Sequence, residues 1–298
     1  MNYIGELAAL GTSLAFSFGS IFFSLAGRHL NAIVVNRTRV IIAAIFLSIA
    51  HWTILGSLLP LDADPQRWIW LSLSGVVGLV LGDIFLFQAF IWIGPRLSML
   101  MMSLAPVFAS LQAWIFLGEE LSGGKIFGIL LTLCGIAWVV LEDNETQNGG
   151  NLNYRRGILY GLGGALGQAT GLVLAKNGMI GNFSPISGNV IRMLAAVVVM
   201  WGVALFQGQI RETIDKMRTN RPGMLYILVA SFFGPFIGVS FSLLAVQRAE
   251  IGVASTLMAL PPVLLMPISY FVFKERFGWR AILGTLLAMG GVALLFLV

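Results

Sequence analysis

The chain has 298 residues, 58% of them hydrophobic and only 10% charged, with a mean hydropathy of +0.90. A soluble domain carries roughly 25% charged residues because its surface must be wetted, so most of this surface must face lipid. The net charge of +5 does not indicate nucleic-acid binding. The basic residues lie scattered in short gaps between apolar runs, as in loops held at an anionic leaflet.

A membrane-crossing helix needs about 20 mostly apolar residues. Ten runs qualify: 4–26, 33–54, 68–91, 97–117, 124–141, 157–175, 185–206, 223–246, 251–273 and 279–297. The first, Ile4 to Ala26, has no basic region before it and is long enough to span, so it is expected to be a retained helix rather than a signal peptide. Short polar gaps such as Asp62-Ala63-Asp64-Pro65 separate the runs, and the longest, 142–156 and 207–222, hold most of the free charge. A transmembrane barrel would need alternating strands about half as long. The expected class is therefore all-α integral membrane, with ten transmembrane helices. The single cysteine, Cys134, lies inside a run and excludes an intrachain disulfide or a thiolate cluster.

The chain repeats itself. A shift of 156 residues superposes Ala89 on Ala245, Met102 on Met258, Pro106 on Pro262, Glu119 on Glu275, Gly128 on Gly284 and Gly135 on Gly291. Nearer the start of each half, a shift of 153 pairs Asn36 with Asn189 and Arg39 with Arg192. Proline, glutamate, arginine and asparagine in register are hard to obtain by chance in so apolar a chain. Residues 1–145 and 146–298 thus read as two five-helix repeats. Five is odd, so the second enters the bilayer from the opposite side, giving the inverted repeat common among secondary transporters.

Several stretches carry a resemblance: Gly82-Asp83-Ile84-Phe85-Leu86-Phe87-Gln88-Ala89-Phe90, Ser103-Leu104-Ala105-Pro106-Val107, Gly118-Glu119-Glu120-Leu121, and the glycine-spaced run from Gly128 through Gly135 to Ala137. The second half repeats them as Leu260-Pro261-Pro262-Val263 and Lys274-Glu275-Arg276-Phe277, with Lys274 in place of the usual glycine. Together they resemble the EamA repeat of the drug/metabolite transporter superfamily. The resemblance implies ten helices around a central cavity and export or exchange of small metabolites such as amino acids. It also implies cytoplasmic termini.

Charged groups inside spans cost roughly 2.5–3.5 kcal/mol each at the bilayer centre on insertion scales. Arg39, Asp83 and Arg192 are such groups. Arg39 and Asp83 fall at similar depth from one side and are expected to pair, either as a packing element or as part of a site. Arg192 lies at the matching depth from the other side, and its repeat has Val239 where the first has Asp83. An arginine without its own acid suits a substrate carboxylate or phosphate, and the competing reading is snorkelling to the interface. Gln168, in the glycine-rich stretch 161–171, is expected at the level of Arg192 and beside it. Asp83, farther toward the other side, is the candidate for a substrate ammonium or a coupling proton. Gln88 and Ser240 complete the expected cavity wall, with Gln112, Ser103 and Ser242 as weaker candidates. Serines in such helices more often bond their own backbone.

Glu119 and Glu275 precede helices and read as dipole partners rather than catalytic acids. His29 and His51 are isolated, and no nucleotide-binding loop, nucleophile elbow or metal-ligand spacing is present. No cofactor or metal is expected, and no enzymatic activity. The function expected is secondary transport of a small polar metabolite by alternating access between the repeats, by a monomer or a homodimer. An integral-membrane enzyme acting on lipid and a passive channel are the alternatives. Four basic residues lie on the side of the termini (Arg67, Lys125, Lys176, Arg248), against thirteen on the other (Arg28, Arg37, Arg39, Arg96, Arg155, Arg156, Arg211, Lys216, Arg218, Arg221, Lys274, Arg276, Arg280). Loop charge therefore places the chain in the cell inner membrane with both termini outside, against the orientation that the resemblance implies.

Overall fold

A computed structural model describes residues 3–117, 122–146, 152–180, 183–248, 257–274 and 278–297. The expected roles of Glu119 and Glu275 lie outside these residues. All regular structure among them is helical: α1 (Ile4–His29), α2 (Ala32–Leu55), α3 (Pro65–Ser74), α4 (Asp83–Met102), α5 (Ala105–Leu117), α6 (Gly123–Thr146), α7 (Leu152–Gly178), α8 (Pro185–Phe206), α9 (Ile210–Thr219), α10 (Arg221–Ser231), α11 (Val239–Arg248), α12 (Pro261–Phe273) and α13 (Trp279–Leu297). Two wider-turn π-helical segments, π1 (Gly75–Gly82) and π2 (Phe232–Gly238), join α3 to α4 and α10 to α11. Seven of the resulting rods are long and apolar enough to cross a membrane, and α5, α12 and α13 are shorter.

Polarity is inverted relative to a water-soluble fold. Leu7, Leu14, Ile45, Val198 and Phe271 are exposed, whereas Thr12, Ser13, Ser17, Asn36, Arg39 and Asp83 are buried. Apolar surface this extensive faces lipid, and the multi-pass membrane reading stands. Buried hydroxyls mostly donate to their own helix, as Thr12 does to the Ala8 carbonyl (2.9 Å) and Ser17 to that of Ser13 (2.7 Å).

Helix ends follow local chemistry. The Asn31 side chain accepts from the Val34 N–H (2.8 Å) to start α2, which stops at Gly56 in the left-handed conformation (φ 77°). Asn220 caps α10 in the same way through the Gly223 N–H (2.9 Å).

Two expected spans differ in detail. The gap expected at 92–96 is a single kink at Gly94 (φ 73°, ψ 171°) followed by Pro95, and α4 runs on to Met102. The real break comes at Ser103-Leu104, and a second comes at Ala259-Leu260, the positions 156 residues on. In both places proline follows closely (Pro106, or Pro261 with Pro262), and a prolyl nitrogen cannot donate to the preceding turn.

The two glycine pairs that the repeat relates meet crosswise in space. α6 and α13 pack so closely that a Cβ on Gly135 would lie 2.6 Å from the Gly284 carbonyl oxygen, and one on Gly291 2.6 Å from that of Gly128. Only backbones without side chains approach this near. Elsewhere, α7 presses Gly167 against Gly82 and Gly171 against Gly78, where an added Cβ would come within 2.7 and 2.9 Å of a Cα.

The short helix α9 lies between α8 and α10 with exposed Arg211 and Arg218. Lys216 bonds Glu212 at 2.5 Å and holds that carboxyl below the ordinary carboxylate range. The helix is tied to α2 by Arg37, which donates to Thr213 Oγ1 (3.0 Å) and Gln209 Oε1 (2.9 Å). Arg37 and Arg39, with Arg96 on α4, are thus buried groups rather than loop charges, and the basic side keeps ten of its thirteen.

Candidate functional site: a central cavity with two arginines

A cavity of about 410 Å³ lies at the centre, walled by α1, α2, π1, α4, α7, α8, π2 and α11. That volume suits a small molecule. Four of the six residues singled out as site candidates line it: Arg39, Asp83, Gln168 and Arg192. Gln88 and Ser240 do not, and Ser240 instead donates to the Phe236 carbonyl at 2.5 Å.

The π-helical segments place the polar groups. At the end of π1 the Asp83 N–H reaches back five residues to the Gly78 carbonyl, and at the end of π2 the Val239 N–H reaches back to that of Gly234. Asp83 and Val239 are thus matched in backbone setting as well as in repeat position, and both face the cavity. The α2 side chains complete the first half. Asn36 donates to the carbonyls of Leu79 (3.1 Å) and Val80 (3.4 Å) and accepts from Arg39 Nε (3.2 Å). Arg39 then forms a buried ion pair with Asp83 Oδ2, and its guanidinium lies over Phe87, 5.3 Å from the ring centroid.

Gln168 enters from the second repeat. Its Nε2 donates to Asp83 Oδ1 at 2.6 Å and approaches the Gly78 carbonyl at 3.3 Å. The expectation that Asp83 stands apart from Gln168, toward the other side, is therefore corrected. The two side chains meet because the Gly82–Gly167 and Gly78–Gly171 contacts bring α7 against π1 at backbone distance.

Arg192 repeats the motif of Arg39, with Nη1 donating to Asn189 Oδ1 at 3.4 Å, three residues earlier in the same helix. The resemblance ends there. Among the described residues Arg192 has no ion-pair partner, and its Nε is buried without a hydrogen bond. Position 239, which would supply the acid by symmetry, is valine. Arg192 points into the cavity rather than snorkelling outward, its Nη2 3.5 Å from where a Gly78 Cβ would stand.

The rest of the wall is largely apolar. Phe16, Phe23, Phe87 and Phe90 line one part, with Phe23 and Phe87 centroids 4.8 Å apart. Sequence reasoning missed these rings because phenylalanine inside an apolar run is indistinguishable from a lipid-facing residue. Asn36 and Asn189 were visible only as repeat matches. His51 joins the repeats at one end of the bundle, its Nε2 2.9 Å from Ser187 Oγ and its Nδ1 2.5 Å from the Ser57 carbonyl.

Comparison with known proteins adds to this geometry. The EamA-like transporter family matches residues 3–141 and 155–297. A probable 4-amino-4-deoxy-L-arabinose-phosphoundecaprenol flippase subunit ArnE from Pseudomonas fluorescens is 33% identical over 102 residues, 34% of this chain and 84% of that one. A solved crystal structure, described only as a protein, superposes with a TM-score of 0.67 at 16% identity, over 99% of this chain and 96% of the other. At that identity the likeness speaks for the fold alone.

Proposed function

The chain belongs to the EamA-like transporter family, and on that premise we propose that it is a secondary transporter, exporting or exchanging a small polar metabolite such as an amino acid. The working unit is ten spans in two inverted five-helix repeats, 1–145 and 146–298, with the substrate held in the cavity between them. The observation that carries this reading is Arg192, a half-buried cation facing a central cavity, with Asn189 as its hydrogen-bond partner and Asp83, already paired with Arg39, as the acid within electrostatic reach. Two guanidiniums around one carboxylate leave the cavity with an excess positive charge, and a substrate carboxylate or phosphate would relieve that.

Alternating access needs elements that can rearrange without losing backbone hydrogen bonds. π1 and π2 occupy matched positions in the repeats, and each carries a cavity-facing residue at its end. Wide-turn segments of this kind are frequent at functional sites, so rocking of one repeat against the other would act there. Arg39, Asp83 and Gln168 hold the first half of the site together while Arg192 receives the ligand. Loop charge supports an inner-membrane placement with both termini outside.

Counterflow in proteoliposomes tests the reading. Vesicles preloaded with unlabelled substrate should transiently accumulate labelled substrate from outside. Absence of accumulation across amino acids and other small metabolites would sink it in favour of an enzyme or a simple pore. A second reading, flipping of an anionic lipid-linked group, is favoured by the ArnE likeness and by the largely apolar wall of the cavity. It predicts headgroup translocation in place of counterflow.

A further inference from the structure

The two half-sites differ at one decisive position. In each repeat an arginine is steadied by an asparagine three residues earlier, and the first residue after the π-helical segment faces the cavity. In the first repeat that residue is Asp83, which neutralises Arg39. In the second it is Val239, which leaves Arg192 without an acid of its own repeat and sharing the field of Asp83 with Arg39. The charged groups among the described lining residues are therefore two cations and one anion. Both oxygens of the anion are already engaged, Oδ2 by Arg39 and Oδ1 by Gln168. A ligand ammonium would find no free carboxylate here, while a ligand carboxylate would find an unpaired guanidinium.

We propose that Val239 sets the charge selectivity of the cavity and narrows the transport reading from amino acids in general to small monoanionic carboxylates with an apolar body, taken in preference to zwitterions or cations. The carboxylate occupies the place at Arg192 that an acid at position 239 would fill, and the apolar body lies along Phe16, Phe23, Phe87 and Phe90. A medium of low dielectric makes this selection strong, because one net charge of mismatch there is costly. The inference rests on the transport reading for its physiological meaning, but not for its test.

The test uses the full-length purified protein and three probes that share the valine carbon skeleton and differ in charge, N-acetyl-L-valine (monoanion), L-valine (zwitterion) and L-valinamide (cation), followed by thermal shift at pH 6.5. The parent should respond to N-acetyl-L-valine at concentrations about tenfold lower than to L-valine, and not to L-valinamide. Val239→Asp supplies Arg192 with an internal partner and should weaken the N-acetyl-L-valine response about tenfold or more relative to Val239→Asn, which matches it in shape without the charge. Should Val239→Asp not fold, Val239→Cys in a Cys134→Ser background can be labelled after folding with a sulfonate-bearing or a neutral methanethiosulfonate. The sulfonate alone should abolish the response. A parent that prefers L-valine or answers none of the probes overturns the proposal, as does equal N-acetyl-L-valine binding by the Asp and Asn variants. Counterflow is scored separately: charge selectivity without counterflow removes the transport reading and keeps this one, and the reverse result does the opposite.

Discussion

Gln168 Nε2 lies 2.6 Å from Asp83 Oδ1, so a side chain of the second half is bonded to the acid that neutralises an arginine of the first. Through this one contact, anything that moves α7 against π1 alters the surroundings of the Arg39–Asp83 pair. Gln168→Leu removes the donor and leaves a buried carboxylate oxygen unpaired, which should destabilise the protein by about 1–3 kcal/mol. Detergent melting measures it. A melting temperature equal to the parent's would show that the contact carries no stability.

The Arg39–Asp83 pair is tested by a double-mutant cycle. Either single change to alanine strands a buried charge and should cost about 3–5 kcal/mol. The double change should cost less than the sum, because neither member of the pair is then left facing an absent partner. Additive losses would show two independent residues.

At Arg192, substitution by lysine keeps the charge but loses the planar fork that can grip a carboxylate through two parallel N–H groups. Transport should drop about tenfold, the equivalent of one charged hydrogen bond, while membrane abundance is unchanged. Parent-like transport by Arg192→Ala at equal abundance would take Arg192 out of the site.

The α6–α13 crossing makes a packing prediction with an internal control. A Cβ at Gly135 would fall 2.6 Å from the Gly284 carbonyl oxygen, whereas one at Gly202 meets nothing within 4 Å. Gly135→Ala should therefore lower stability by about 1–3 kcal/mol through overpacking. Gly202→Ala in α8 should be neutral or slightly stabilising. Equal melting temperatures for the two variants would contradict the close approach.

Topology is open to a direct assay. A reporter fused at Val298 should be active only when it works outside the cytoplasm, given the loop-charge bias toward the opposite side. Cytoplasmic activity of that fusion would reverse the orientation proposed here.

Much of the architecture was readable because lipid imposes simple rules. Uninterrupted apolar runs marked the rods, and proline, glycine and arginine in register marked the repeat. The same register paired Gly135 with Gly291 and Arg39 with Arg192, and each pair does related work in space. What stayed hidden depends on packing. A π-helical turn does not differ in composition from an α-helical one, and π1 and π2 are anchored by neighbours distant in sequence. Ser240 shows a second limit. It follows the cavity-facing Val239 by one residue, about 100° around the helix, whereas Ser242, three residues on from Val239, lies on the same face and lines the cavity. Gln88, five residues past Asp83, is turned away by about 140° on the same geometry. Residue type alone could not separate these positions without the local helical phase.

The glycine crossing of α6 and α13 also has a practical consequence for anyone wishing to watch the molecule work. Backbones in direct contact through Gly135, Gly284 and Gly291 leave little freedom to slide, and the cavity wall includes neither helix. The chain's sole thiol, Cys134, sits next to Gly135 and is exposed. A spectroscopic label placed there has a quiet position, a fiducial mark against which distances to labels on α2, α8 or α11 can be read as the protein cycles.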